Sequence, residues 1–285
     1  MTTLNAVASV FLAVVFASTP SEKIRKNYPL DGLESADINI SFGAGRIEIN
    51  SGNITDLYQG NFEYTETEPD VQITANRNFA DVRIAQNEIR TKKDEKSDLK
   101  IRNFENFSDN NWNITLTNRI PIDLDLELGA SKSYLNLGGL KLENINIETG
   151  LSKTELDFST LNPVPLSSLV IDAGISKFTG RRLLNSRFRK FIFNGGVGDY
   201  KLEFDGEFTK EANIDINVDL GSILIIIPKS VPYRARIGKS VLSSAEIDYQ
   251  RRTDDIYYSA GYDRDKPALN INLESGIGSV KILHR

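Results

Sequence analysis

The sequence predicts an all-β fold, a β-solenoid whose short strands turn at regularly spaced corners. Three observations carry this. Apolar and polar residues alternate strictly over most of the chain, as in "DLDLELGASKSYLNL" (residues 123–137) and "NINIETGLSKTELDF" (144–158). Almost no segment has helical period. A glycine also recurs with fixed surroundings: Gly43, Gly129, Gly150, Gly174, Gly196, Gly221 and Gly276 each follow apolar residues three and five positions earlier.

From Gly129 the steps to Gly150, Gly174, Gly196 and Gly221 are 21, 24, 22 and 25 residues. Two residues after the glycine stands a second small residue (Gly45, Ser131, Ser152, Ser176, Gly198, Gly278), with Ile223 as the exception. A small-residue corner between two strands, repeated at this period, is the unit of a solenoid whose coils stack about 4.8 Å apart. The glycine suits a corner with positive φ or no room for a Cβ. An antiparallel sandwich is the competing architecture, but it has no need to repeat its corners.

Composition narrows the chemistry. The 285 residues carry 34 Lys+Arg against 39 Asp+Glu, a formal charge of −5, no Cys and one His, His284. This excludes a Cys/His zinc site, a cysteine nucleophile and a Ser-His-Asp triad. A mildly acidic chain gives no reason to expect nucleic acid as partner. Carboxylate or lysine chemistry stays open.

In chain order, residues 1–17 are expected to be a signal peptide. Ala6 to Ala17 is an apolar stretch too short for a membrane span, and Val15-Phe16-Ala17 offers small residues for cleavage. No basic residue precedes it, so a buried strand or helix is the alternative. Residues 18–111 read as a smaller N-terminal β section ending in a charged loop, "KKDEKSDLKIRNFENFSDNN" (92–111). Residues 112–285 are the repetitive part, with one insertion near 232–265. "ILIII" is a run to be buried, closed by Pro228 and Lys229.

"LYQGNFEYTETEPDVQI", then "WNITLTNRIPIDLDLELGASKSYLNLGGLKLENINIETGLSKTELDFSTLNP", resembles the bacterial toast-rack family. The tail, "VDLGSILIIIPKSVPYRARIG" through "DDIYYSAGYDRDKPALNINLESGIGSVKI", is similar to the same family's end. It also resembles the C-terminal domain of LiaF-type cell-wall-active antibiotic response proteins and adhesin-like proteins. The resemblance implies an exported, right-handed, single-stranded β-solenoid, for some relatives with a part in envelope-stress signalling or adhesion. It brings no catalytic residues. The chain departs from the LiaF type in lacking a set of N-terminal membrane helices.

Several constellations are candidates. Two before each glycine stand Ser41, Glu127, Glu148, Asp172, Asn194, Asp219 and Glu274, which stacking would turn into a ladder. Calcium needs six to eight converging oxygens, which a flat ladder does not supply, so a solvated face diluted by Asn is expected, with no metal or other cofactor. Asp125 and Glu127 could serve a carbohydrate-active enzyme, although nearly any acidic strand offers such a pair. Lys132, Lys153 and Lys177 fall three after successive glycines and should form a basic row. The row could meet an anionic envelope polymer, or pair with neighbouring acids. Tyr257, Tyr258 and Tyr262 could stack on a carbohydrate polymer or an envelope protein, or cover the open end of the solenoid. Trp112, the sole Trp, is expected to cap the core. The expected function is an exported, non-enzymatic scaffold or interaction module of the cell envelope, adhesin-like or regulatory.

Overall fold

A computed structural model describes residues 21–65, 67–86, 110–239 and 243–285. The expected signal peptide and most of the 92–111 loop lie outside the described residues. Five strands come first: β1 (Glu22–Pro29), β2 (Ser35–Gly52), β3 (Asp56–Tyr64), β4 (Asp70–Asn76) and β5 (Phe79–Ala85). Then follow β6 (Asn111–Thr117), β7 (Pro121–Asn136), β8 (Lys141–Asp157), β9 (Leu166–Arg181), β10 (Phe188–Glu203) and β11 (Ala212–Ile227). Short strands β12 (Tyr233–Lys239), β13 (Ser243–Ile247), β14 (Arg251–Thr253) and β15 (Ile256–Tyr258) precede the last long one, β16 (Leu269–His284).

Seven long strands form the body, pairing in parallel in the order β2-β7-β8-β9-β10-β11-β16. Each carries a glycine-rich corner at mid-length, so every coil is one long strand of two arms plus a short return. The chain is thus a β-solenoid, as the repeat implied. At its N-terminal end the two arms of β2 are covered separately. β5 and then β4 extend the first arm, and β6, β3 and β1 extend the second. Trp112 on β6 is fully buried against Phe42 and Phe62, closing this end of the core. At the other end β12 and β13 pair with the two arms of β16, and β15 and β14 extend β12. The insertion expected near 232–265 therefore holds β12 to β15.

Register revises one alignment. Gly196 does not pair with Gly221; the ladder sets Gly198 beside Gly221 and Gly221 beside Gly278. The corner position of β11 is therefore held by Asp219, and Gly221 occupies the second small position two residues later. Ile223 ceases to be an exception. The reason is steric: at that second position Gly221 and Gly278 have φ of +138° and +142°, and a Cβ would lie 1.9 Å and 1.7 Å from the preceding coil's carbonyl oxygen. The same correction moves Asp219 out of the row two before the corner and puts Asn217 there.

Inside the corner, side-chain size is traded between arms. The residue before the corner shrinks through Leu128, Thr149, Ala173 and Gly195, while the residue four after it grows through Ser133, Thr154, Phe178 and Tyr200. All eight are buried. A Cβ on Gly195 would meet the Tyr200 ring at 2.6 Å, so the glycine is where the tyrosine goes. Phe193 packs against both Tyr200 and Phe178, at ring separations of 5.1 and 5.5 Å. Between coils, the fully buried Asn162 brackets the main chain, accepting from Leu142 N–H at 2.9 Å and donating to Leu142 C=O at 2.8 Å. Those are backbone groups that a return loop would otherwise leave unpaired.

Candidate functional site

The corner is where the alternation of the strand breaks. The residues one before and two after it face inward, whereas the corner residue and its successor both face solvent over most of the ladder. One arm's side chains therefore stand off from the other's, leaving a groove along the solenoid. It has a volume of about 580 Å³, is floored by Gly43, Gly129, Gly150, Gly174 and Gly196, and ends at Asp219. The floor stays bare for a packing reason. A Cβ on Gly129 would sit 2.4 Å from the Gly43 carbonyl oxygen, and one on Gly196 would sit 2.8 Å from that of Gly174.

One wall is the acidic row: Ser41, Glu127, Glu148, Asp172, Asn194 and Asn217 lie in register across β2 to β11, with Glu274 following on β16. Asn rungs soften it. Asn194 donates to Asp172 at 2.6 Å, and on neighbouring rows Asn144 donates to Asp123 and Asn272 to Asp215, each at 3.0 Å. Nearer the N-terminal end, burial and then the charges of Asp123, Asp81 and Asp125 raise the Asp37 carboxyl above its ordinary value. Among the described residues no three His, Asp or Glu side chains are placed to hold a metal ion. Asp125 and Glu127 are exposed neighbours on β7, beside Arg83 in a shallow hollow of about 170 Å³.

Beyond the groove runs a feature that sequence reasoning passed over. The residue after the corner is Leu151, Ile175, Val197, Leu220 and Ile277 on β8 to β11 and β16, in register. Ile175 is 59% exposed, Val197 and Leu220 43% each, and Ile277 47%; Tyr249 is the only other large apolar side chain so exposed among the described residues. Strict alternation assigns these residues to the core, so only the phase break at the corner reveals them as an external ridge. Their signal was present: an aliphatic residue directly after each of four corner glycines.

Lys132, Lys153 and Lys177 stack as one row three after the corner, and Arg46 extends the row onto β2. On β10 the row changes sign at Asp199. Arg46 pairs with Glu48 and lies over the Tyr134 ring, which Lys132 also approaches at 5.6 Å. The hydrogen bonds that Arg46 donates to the Glu48 carboxylate hold its guanidinium above its ordinary pKa. Lys153 reaches Glu155 at 3.9 Å. The tyrosines stand elsewhere, beyond β16. Tyr257 is buried, edge-on to Tyr249 at 5.1 Å and under the Arg252 guanidinium at 4.9 Å. Tyr258 pairs with Tyr262 at 5.0 Å and lies under Arg251 at 4.4 Å. The ladder does not bring the lysine row and the tyrosines together, since β10, β11 and β16 lie between them.

A ladder of in-register bent strands with an open groove along its corners defines a solenoid scaffold. The family model described as the N-terminal domain of toast_rack, DUF2154, matches residues 17–181, and the chain belongs to the toast-rack family. Among solved structures, the chain is similar to a putative cell adhesion protein from Clostridium sporogenes. That match has 21% identity and a TM-score of 0.51, and covers 93% of this chain and 100% of that one. It is also matched by a putative adhesin from Bacteroides fragilis, at 13% identity and a TM-score of 0.33, covering 92% of this chain and 97% of that one. No curated protein matches.

Proposed function

We propose that the chain is an exported, non-enzymatic, adhesin-like display module of the cell envelope. One observation carries the reading: seven long strands in register present the same residue classes in rows at a repeat of about 4.8 Å, a linear and repetitive surface suited to contact with other surfaces. The similarity in fold to a cell adhesion protein points the same way. No helix among the described residues is long and apolar enough to cross a membrane.

The experiment is retention. Beads carrying the chain are passed over immobilised envelope polymers and surface glycans, beside beads carrying the heat-unfolded chain. Retention that requires the folded state supports the reading. Release of soluble sugar that disappears in Asp125→Asn with Glu127→Gln would replace it with an enzymatic one.

A further inference from the structure

We propose that the corner face is a self-association surface, through which two copies of this chain pair side by side with their ladders parallel. The argument starts from charge. Parallel in-register stacking forces like residues beside like, and like charges so placed repel. Glu127, Glu148 and Asp172 stack on one side of the corner, and Lys132, Lys153 and Lys177 on the other. Within the described residues none of the three carboxylates forms an ion pair, and of the lysines only Lys153 has one, at 3.9 Å. Two rows of opposite sign, five residues apart on three successive coils, are left with a single long ion pair, Lys153 to Glu155.

A second copy supplies what is missing, in one orientation. A two-fold axis running along the ladder exchanges the two sides of the corner while keeping each coil at its own height. Glu127 then faces the partner's Lys132, Glu148 the partner's Lys153, and Asp172 the partner's Lys177. The remaining levels of the two rows hold: Asn194 meets Asp199, Ser41 meets Arg46, Asn217 meets Ser222 and Glu274 meets Ser279, so the rows set no like charge against like. A two-fold axis across the ladder instead stacks acid on acid.

Shape follows the same operation. The ridge lies on one side of the corner and the groove on the other, so the rotation lays the ridge of Ile175, Val197, Leu220 and Ile277 over the corner floor of its mate, and the reverse. That floor is glycine at each of these levels except β11, where Leu220 meets Asp219. This removes from water four of the five large exposed apolar side chains, and each element is used once by each copy, as an isologous interface requires. A polymer of one sign would satisfy one row and be repelled by the other.

The test is sedimentation of the full chain over a concentration series, with no ligand present, so that it stands or falls apart from adhesion. The unaltered chain is expected to form a dimer that weakens in high salt. Reversing the basic row (Lys132→Glu, Lys153→Glu, Lys177→Glu) should raise the dissociation constant at least about tenfold. The opposite reversal (Glu127→Lys, Glu148→Lys, Asp172→Lys) should do the same, and mixing the two variants should restore a dimer. Thermal melting checks that each variant is folded. Orientation is read from cysteines in this Cys-free chain. Ile175→Cys and Ile277→Cys, each alone, should cross-link to its own copy on oxidation. A monomer at every concentration, a dimer indifferent to either reversal, or, when the two cysteine variants are mixed, cross-links formed only between a 175 and a 277 cysteine would overturn the proposal.

Discussion

The size trade inside the corner makes a sharp energetic prediction at β10. Gly195 and Tyr200 fill one space between them, because a Cβ on Gly195 would lie 2.6 Å from the tyrosine ring. On β7 the equivalent pair is Leu128 and Ser133, with the bulk on the opposite arm. Tyr200→Ala alone should cost about 3–5 kcal/mol, the range for truncating a buried aromatic ring. Gly195→Leu alone drives a side chain into that ring and should cost about 1–3 kcal/mol. The double variant transplants the β7 arrangement. Alanine is chosen over serine because Ser133 has a hydroxyl partner, Ser131 at 2.8 Å, whereas Gly198 offers none on β10. The leucine then occupies the space the ring leaves, and the two changes should couple favourably by about 2–3 kcal/mol. Guanidinium denaturation followed by circular dichroism measures all four corners of the cycle. Single effects that simply add, to within about 0.5 kcal/mol, would refute the claim that the arms share one volume.

Two further predictions concern the corner and the alkaline limit. Gly221→Ala should destabilise by more than about 1 kcal/mol, because its φ is +138° and the Cβ would sit 1.9 Å from the Gly198 carbonyl oxygen. Asp219→Gly should be nearly neutral, since glycine holds that position on other coils; the reverse ranking in thermal melts would reinstate the alignment on Gly221. Burial pushes the hydroxyls of Tyr58 and Tyr200 up to about 12, and raises that of Tyr233 further. The stability these groups contribute is complete below the ordinary tyrosine value of about 10 and is lost as pH rises through the folded value. Ultraviolet titration should therefore show three of the ten tyrosines ionising only as the fold is lost, and Tyr200→Phe should move base-induced unfolding to higher pH. Ten tyrosines ionising together near pH 10 in the folded chain would contradict this.

Fold class was legible because a solenoid writes its period into the chain. Inward Leu and Ile at fixed offsets from a glycine report strand direction, corner and register together, and Lys132, Lys153 and Lys177 stack as their spacing required. Legibility failed where two small residues serve two steric purposes. Gly221 and Gly196 look equivalent in sequence, but one relieves a positive φ and the other a close carbonyl contact. It failed again at the ridge, since period-two reasoning assigns Ile175 to the core and the corner adds a residue to the outward side. Tyr257 shows a third limit. Composition leaves two readings open, an exposed partner site and a cover for the end of the solenoid; the side chain is buried, with β15 paired to β12 at the end of the ladder.

The rows explain why the corner stands apart from the rest of the surface. Along the first arm, amides donate to stacked acids on several coils, as Asn144 does to Asp123 and Asn272 to Asp215, while Asp81, Asp37 and Asp123 stand side by side at the N-terminal end. Along the second arm, charges of both signs pair within and between coils: Lys153 meets Glu155 and Lys201 meets Glu203 on the same strand, and Arg181 reaches Glu155 from the next. At the corner three acids stand in one row and three lysines in another, with an apolar ridge between them. Each further coil lengthens such rows, and with them the repulsion within each row. An arrangement that costs the monomer something on every added coil is accounted for when a second molecule brings the opposite row to each.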